Sequence, residues 1–523
     1  MMDYLKAILS GLLLAFAFPR FNLEFLAWFA LVPLLFAIYP GNARRALALG
    51  FVAGLVFYFI TMSWVINTLV NYGNIPTILS WLILTLLVAY MSLYIGVFAY
   101  LVHRFSKSHP VHLFLLAPVT WTALEYLRSS HSIYGFSWQG LGYSQFQSLP
   151  VIQMASITGV YGITALIVLV NAGLFVLLHP AFERYPAWQK YRQRIGVTTL
   201  SLLLLCVGYG WWTLKQEPVY GTPPVRVGLI QGNISQHLKW DPAYRNEVLQ
   251  RYQDLTLKAA VLQPDLMVWP EAVTPFYFAK EIAGTEFVLD VIRASKTPLL
   301  LGSPAIEERV HSSSNTEPPS TLLYNSAYFV SADGETQGRY DKIHLVPFGE
   351  FVPFRSILSF IDKLVVGIGD FQRGQEIKVF KLGNHGFAVS ICFEIIFPDL
   401  VRQPVKQGAN YLVNITNDAW FGNSAASYQH MSMVAMRAVE NRVPIVRAAN
   451  TGITGTVDAY GRIVDATEIF EEDWVIAQIR PKTSAPGFYS TYGDIFSWLC
   501  LGLTPVFAFM GYRARPPSTF GWV

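Results

Sequence analysis

Phe387-Ala-Val-Ser-Ile-Cys392-Phe-Glu394 is an apolar run of strand length that ends on a cysteine, with a glutamate two positions beyond. Leu266-Met-Val-Trp-Pro-Glu271 and Tyr340-Asp-Lys342 follow the same rule, a polar residue standing where a candidate strand stops. Active-site side chains in α/β folds commonly occupy that position. Taken singly, each has a plain structural reading. A cysteine ending a strand is a small buried hydrophobe, a lone glutamate caps a helix, and a lone lysine is a solvated loop charge.

Outward from these runs, further strand-length blocks lie at Val225 to Ile230, Leu299 to Leu301, Ser326 to Val330, Tyr411 to Ile415 and Ile445 to Ala448, separated by Gly, Pro, Asn and Asp turns. Helical patterns alternate with them, as in Tyr244 to Leu262 and Ser427 to Asn441. The alternation predicts one α/β domain over about residues 225–484, long enough for a large buried core.

The remainder of the chain is different in kind. Of 523 residues 53% are hydrophobic and 14% charged, against about 25% charged in an ordinary soluble protein; mean hydropathy is +0.37. Crossing a hydrocarbon core takes roughly 20 apolar residues. Seven such stretches fill residues 1–214, near 5–19, 23–39, 47–70, 77–102, 112–127, 151–178 and 196–214, and an eighth lies near 494–512. The first is short and follows Lys6, which fits a signal peptide as well as a retained helix; a second span so close behind it favours the helix. Arg44 and Arg45, Arg104 and Lys107, the group Arg184, Lys190, Arg192 and Arg194, and Arg513 and Arg515 fall in alternate loops and the tail. Positive loops face the cytoplasm, so both termini, including the tail 513–523, are expected there, with the α/β domain in the periplasm of a bacterial inner membrane.

Composition also excludes. A net charge of +4 without a lysine-rich tract gives no field for nucleic acid. Cys206, Cys392 and Cys500 are too few and scattered for a disulfide framework or zinc cluster, and Cys392, alone in the polar part of the chain, is expected to be a free thiol. No Gly-rich phosphate loop, HExxH or GxSxG motif occurs.

Together, Trp269-Pro-Glu271, then Tyr340-Asp-Lys342 running on through His344-Leu-Val-Pro-Phe-Gly-Glu350, then Ile391-Cys-Phe-Glu394 resemble the nitrilase superfamily. The order of spans, domain and final span resembles most closely the bacterial apolipoprotein N-acyltransferase family, over nearly the whole chain. The stretch Asn233 to Pro242 with Trp240, Tyr324-Asn325-Ser326, and Thr416-Asn-Asp-Ala-Trp-Phe421 strengthen that likeness. The resemblance implies a four-layer α-β-β-α sandwich beside a bundle of about eight helices. It implies Cys392 as nucleophile, Glu271 as general base and Lys342 as stabiliser of the tetrahedral intermediate, with Glu350, Glu394, Phe393, Trp240 and Asn325 in support. Phe393 stands where the family usually has Tyr. The implied reaction moves an acyl group from a membrane phospholipid, through a thioester, to the α-amine of a diacylglyceryl-modified apolipoprotein, without cofactor or metal; the sequence leaves oligomeric state open, and a monomer is the expectation.

The residues support that chemistry on their own terms. A free thiol has a pKa of about 8.5 and attacks as thiolate, so it needs a base, which Glu271 can supply. A lysine ammonium favours the thiolate and donates to the oxyanion. A thioester must be kept from water. Phe351 to Phe371, with Phe354, Leu358 and Phe360, reads either as an apolar arm admitting acyl chains or as a core helix. Trp420, Phe421 and Trp138 are further candidates for substrate contact; Trp138, in an outer loop, could also dock the α/β domain, and interfacial anchoring is the favoured reading for it. Glu125 is expected to reach headgroups or the bundle interior. Two rivals keep the same residues: a membrane-anchored amidase, in which water discharges the thioester, and a transporter with a catalytically dead sensor domain. About eight spans exceed what tethering needs, and no paired charges or inverted repeat favour transport.

Overall fold

The computed structural model describes residues 1–106, 110–130, 135–180, 182, 186–216, 223–236, 238–239, 241–309, 320–351 and 371–513. The chain forms two compact units, Met1–Ile66 with Pro76–Glu217 and Tyr492–Val523, and Asn67–Ile75 with Pro218–Thr491.

The first unit is helical. Five of its helices are long and apolar enough to cross a membrane among the described residues: Ala43–Thr61, Thr77–Ser106, Val160–Leu178, Gln189–Lys215 and Ile495–Arg513. The other three stretches taken for spans are built differently. Met2–Phe16 has 15 residues, about 22 Å at 1.5 Å per residue, short of a core of about 30 Å. Pro110–Ser130 carries Glu125 and Arg128, both buried.

The stretch 23–39 is not one helix. A short turn of helix, Glu24–Trp28, is followed by Val32–Ile38, which has a proline in its first turn. Backbone groups freed by that break find side chains: Leu31 N donates to Asn171 Oδ1 at 2.8 Å, Asn171 Nδ2 donates to Ala27 O at 2.9 Å, and Leu34 N donates to Ser10 Oγ at 2.8 Å. Irregular backbone in an apolar bundle survives only where protein satisfies it.

Glu125 and Arg128 do the same for another buried irregular segment. Glu125 Oε2 accepts from Leu141 N at 2.8 Å and its Oε1 from Thr164 Oγ1 at 2.7 Å, while Arg128 donates to Phe136 O and Trp138 O at 2.9 and 2.7 Å. Of the two destinations expected for Glu125, the bundle interior is the one observed.

The second unit is a sandwich of two six-stranded sheets. Its strands are β1 Val225–Gln231, β2 Leu266–Val268, β3 Leu299–Arg309, β4 Ser320–Val330, β5 Thr336–Asp341, β6 Val379–Leu382, β7 His385–Ile391, β8 Tyr411–Thr416, β9 Ile445–Ala449, β10 Gly455–Val457, β11 Ile463–Val464 and β12 Asp473–Ile479. One sheet has the order β12-β1-β2-β3-β4-β5 and the other β11-β10-β9-β8-β7-β6. Each has a parallel centre, β1-β2-β3 and β7-β8-β9, flanked by antiparallel strands.

Helices Arg245–Ala260 and Ile282–Ser295 cover the outer face of the first sheet, where Val248, Tyr252, Leu255, Val288 and Ile292 pack on Ile230, Met267, Trp269 and Leu301. Pro398–Lys406 and Ala426–Asn441 pack on the second sheet. Between the sheets, Phe329 of β4 meets Phe387 of β7 with ring centroids 5.2 Å apart. This is the α-β-β-α order. The parallel strands β7 and β8 are followed directly by Cys392 and Asn417, and β2 within three residues by Glu271, which is how two sheets bring residues distant in sequence to one place.

Candidate active site

Glu271 follows β2 in a tight turn, with Ala272 at φ +49°. The turn lies directly on β3: a Cβ at Gly302 would come within 2.4 Å of Pro270 O and 2.7 Å of Glu271 Cα, so only glycine fits there. Both carboxylate oxygens are engaged. Oε1 accepts from Asn325 Nδ2 at 2.7 Å and Lys342 Nζ at 3.1 Å, and Oε2 accepts from the Asn417 N–H at 2.9 Å. Burial by itself would raise this carboxyl; Lys342, the Asn325 amide and Lys239 outweigh it and hold it below the usual carboxylate range.

Lys342 directly follows β5 and is 1% exposed. Its ammonium also donates to Glu350 Oε1 at 2.8 Å, and Asn325 Nδ2 bridges to that same oxygen at 2.8 Å. Burial pulls the lysine down, but Glu271 and Glu350 together hold it above its ordinary value. Glu350 is itself held by Val346 N–H, which donates to Oε2 at 2.8 Å. Asn325 thus spans two carboxylates, and its backbone carbonyl accepts from Lys342 N at 2.8 Å.

Cys392 opens the turn after β7 with φ +50°, a left-handed conformation rarely adopted by side-chain-bearing residues. It is a free thiol, 8% exposed. Burial pushes the thiol up and the Glu271 charge adds to that, while Lys342 and the Thr416 hydroxyl oppose it. The resting group is therefore a thiol beside an ionised carboxylate, an arrangement that needs proton transfer before attack.

Glu394 ties the two sides together. Its Oε1 accepts from Tyr340 OH at 2.9 Å, Ile343 N at 2.6 Å and His344 N at 3.1 Å, and its Oε2 accepts from Ile391 N at 2.7 Å. The loop carrying Lys342 and the turn carrying Cys392 hang on one buried carboxyl, which burial pushes up to about 7 against the pull of those hydrogen bonds. Phe393 packs by its ring on Phe397 at 5.2 Å and His344 at 6.1 Å.

Of the other residues singled out in the sequence, Trp240, Phe354, Leu358 and Phe360 lie outside the described residues. Trp420 is 37% exposed, its carbonyl accepting from Thr68 Oγ1 at 2.9 Å and its ring against Tyr72 at 5.4 Å. Phe421 meets His430 edge to face at 6.1 Å. Trp138 belongs to the helical unit and is 1% exposed, between Trp64 and Phe136.

Five side chains at the site receive no role from the sequence: Lys239, Thr416, Asp418, His430 and Arg447. Lys239, 2% exposed, donates to Glu271 O at 3.0 Å. Behind Cys392, His430 Nε2 donates to the Cys392 carbonyl at 3.2 Å, Arg447 Nη2 reaches Asp418 Oδ2 at 2.7 Å, and Thr416 Oγ1 donates to Asp418 Oδ1 at 2.9 Å. Because the carbonyl requires the proton at Nε2, the neutral ring leaves Nδ1 to accept from Arg447 Nη2 at 3.1 Å. A charged residue within a strand-length apolar block, as Arg447 is in Ile445–Ala449, was the available signal.

The carbon-nitrogen hydrolase family matches residues 226–486, and the apolipoprotein N-acyltransferase N-terminal domain family matches residues 10–173. A protein named apolipoprotein N-acyltransferase from Geobacter metallireducens is 44% identical over 514 residues, 98% of this chain and 96% of its own length. The chain belongs to the apolipoprotein N-acyltransferase family. The family member of that name from Haemophilus influenzae is 33% identical, over 94% of this chain and 91% of its own. Among solved structures, Saccharomyces cerevisiae Nit3, a member of branch 10 of the nitrilase superfamily, aligns with 50% of this chain and 91% of its own at 19% identity and TM-score 0.38.

Proposed function

We propose that this acyltransferase moves a fatty acyl group from a membrane phospholipid to the α-amine of an apolipoprotein's S-diacylglyceryl cysteine, through a thioester on Cys392. The observation that carries the reading is Glu271: a buried, ionised carboxylate held by Lys342, Asn325 and the Asn417 N–H, whose charge acts on the free Cys392 thiol.

In the first half-reaction Glu271 takes the Cys392 proton as sulfur attacks the ester carbonyl, and Lys342 steadies the oxyanion. The C–O bond then breaks, Glu271 returns the proton to the leaving oxygen, and a lysophospholipid departs. In the second, the acceptor amine attacks the thioester, Glu271 takes the amine proton, and the C–S bond breaks with the proton returning to sulfur. Glu350 and Asn325 fix Lys342 and Glu271 against each other throughout.

Five helices of membrane length agree with a substrate that arrives within the bilayer. The alternating positive loops support a bacterial inner-membrane enzyme with residues 225–484 in the periplasm and both termini cytoplasmic, an even number of crossings in which the 21-residue Pro110–Ser130 joins the five long helices. A monomer suffices, since every group named belongs to one chain.

The test is transfer of a labelled acyl chain from phospholipid to a diacylglyceryl-cysteine peptide. N-acyl peptide from wild type and none from Cys392→Ala is expected. Release of free fatty acid with the peptide unmodified would replace the reading with that of a hydrolase.

A further inference from the structure

The groups around Glu271 do not balance in charge without Lys239. Glu271 and Glu350 are two carboxylates with one ammonium, Lys342, between them at 3.1 and 2.8 Å, and Asn325 adds no charge. The set carries one negative charge in excess, and its members are nearly or wholly removed from solvent. Buried charge left unbalanced is expelled by protonation, and the group best placed to take the proton is Glu271, whose use as a base requires it to stay ionised.

We propose that Lys239 is the second cation of the site, a positioning residue that holds the Glu271 turn through its carbonyl and supplies the charge keeping Glu271 an ionised base. The inference rests on the reading of Cys392 as nucleophile and Glu271 as its base.

Lys239 comes from the loop after β1, where its own N–H closes a turn onto Ser235 O at 3.1 Å. The ammonium is 2% exposed and makes, among the described residues, the single hydrogen bond to Glu271 O. A buried lysine held by one carbonyl is costly, and balancing a neighbouring carboxylate offsets that cost. The charged groups facing it are Glu271 and Cys392; Glu271 in turn faces Lys342 and Lys239, and Cys392 faces Glu271, Lys342 and Asp418. Burial brings Lys239 down to about 8, with Glu271 and Cys392 opposing that fall, so the cation persists at neutral pH. Lys342 is committed to stabilising the reaction; Lys239 sets the state of the base before it begins.

The experiment follows carbamidomethylation of Cys392 by iodoacetamide, a small neutral electrophile that needs no lipid, in the detergent-purified full chain from about pH 5 to about pH 8. The reacted residue is located by peptide mass, with Cys392→Ala as the control against Cys206 and Cys500. Wild type and Lys239→Arg should show the same base-assisted profile. Lys239→Met and Lys239→Gln should lose rate several-fold more steeply toward the acid end, because the midpoint of the Glu271 limb moves up by roughly one unit.

Lys239→Gln keeps a donor for the Glu271 carbonyl and removes only the charge, so it carries the test if the methionine variant does not fold. A wild-type profile in Lys239→Gln, or the steeper profile in Lys239→Arg, would overturn the proposal, since charge would then not be the active property. Acyl transfer surviving in Cys392→Ala would instead sink the underlying reading.

Discussion

Lys342 stands between two carboxylates, Glu271 and Glu350, whereas Arg447 faces Asp418 alone, with neutral His430 beside it. Both clusters are buried in the same α/β unit and both reach Cys392, one toward its thiol and one at its carbonyl. In the second cluster the charges cancel. Burial alone would raise Asp418, but Arg447 holds it far below the carboxylate range, and burial with the Arg447 charge holds His430 below its ordinary value. Nothing there can exchange a proton near neutral pH. In the first cluster a carboxylate keeps an affinity for protons that its neighbours only restrain. The difference separates two uses of buried charge: a set with no group left to titrate fixes a strained turn, and a set whose carboxylate faces a thiol does acid–base work.

The sharpest way to break this comparison is to remove the cation from each. Lys342→Met should lower kcat by on the order of 10²–10³, the cost of one oxyanion donor; an unimpaired enzyme would remove Lys342 from the mechanism. Arg447→Met leaves Asp418 buried without its partner, and should cost about 3–4 kcal/mol of stability, read as a lower unfolding midpoint in detergent. If Arg447→Met instead left stability intact and altered only the pH profile, the distinction would fail.

Glu394 sharpens it further. Its folded carboxyl is raised to about 7, so the folded state binds this proton more tightly than the unfolded chain. The resulting stabilisation is complete below the unfolded value and is lost as pH rises through about 7. Thermal stability of the wild type should therefore decline across that window, by at most about 1.4 kcal/mol per pH unit from this group, and Glu394→Gln should flatten that component. The smallest effect is expected from His430→Ala, about 0.5–1.5 kcal/mol for one hydrogen bond to the Cys392 carbonyl, accompanied by slower alkylation of Cys392 as its turn relaxes.

Local sequence carried much of this, where chemistry and pattern coincide. Glu271 and Cys392 were visible because each follows an apolar run, and Lys342 because it follows a strand; strand ends are where a sandwich gathers its side chains. Glu394 was visible as a position but not as a clamp, since its four donors come from 340, 343, 344 and 391, and such convergence is a property of the fold. Lys239 looked like one more loop lysine because nothing local says that its loop folds inward onto Glu271. Hydropathy found the helical half but not its breaks: residues 23–39 are apolar enough for one span, and the interruption is sustained by Asn171 and Ser10, far away in sequence. Hydropathy counts side chains; it does not record which backbone groups find partners.

The central claim is that Cys392 carries the acyl group. The direct measurement is intact-protein mass of the detergent-purified enzyme after incubation with phospholipid, for wild type and Cys392→Ala, before and after adding a diacylglyceryl-cysteine peptide. The account predicts a gain of one acyl group on wild type, absent from the variant, that disappears as the peptide amine is acylated. A variant that gains the same mass, or N-acylated peptide formed without any acyl-enzyme in a rapid quench, would contradict it.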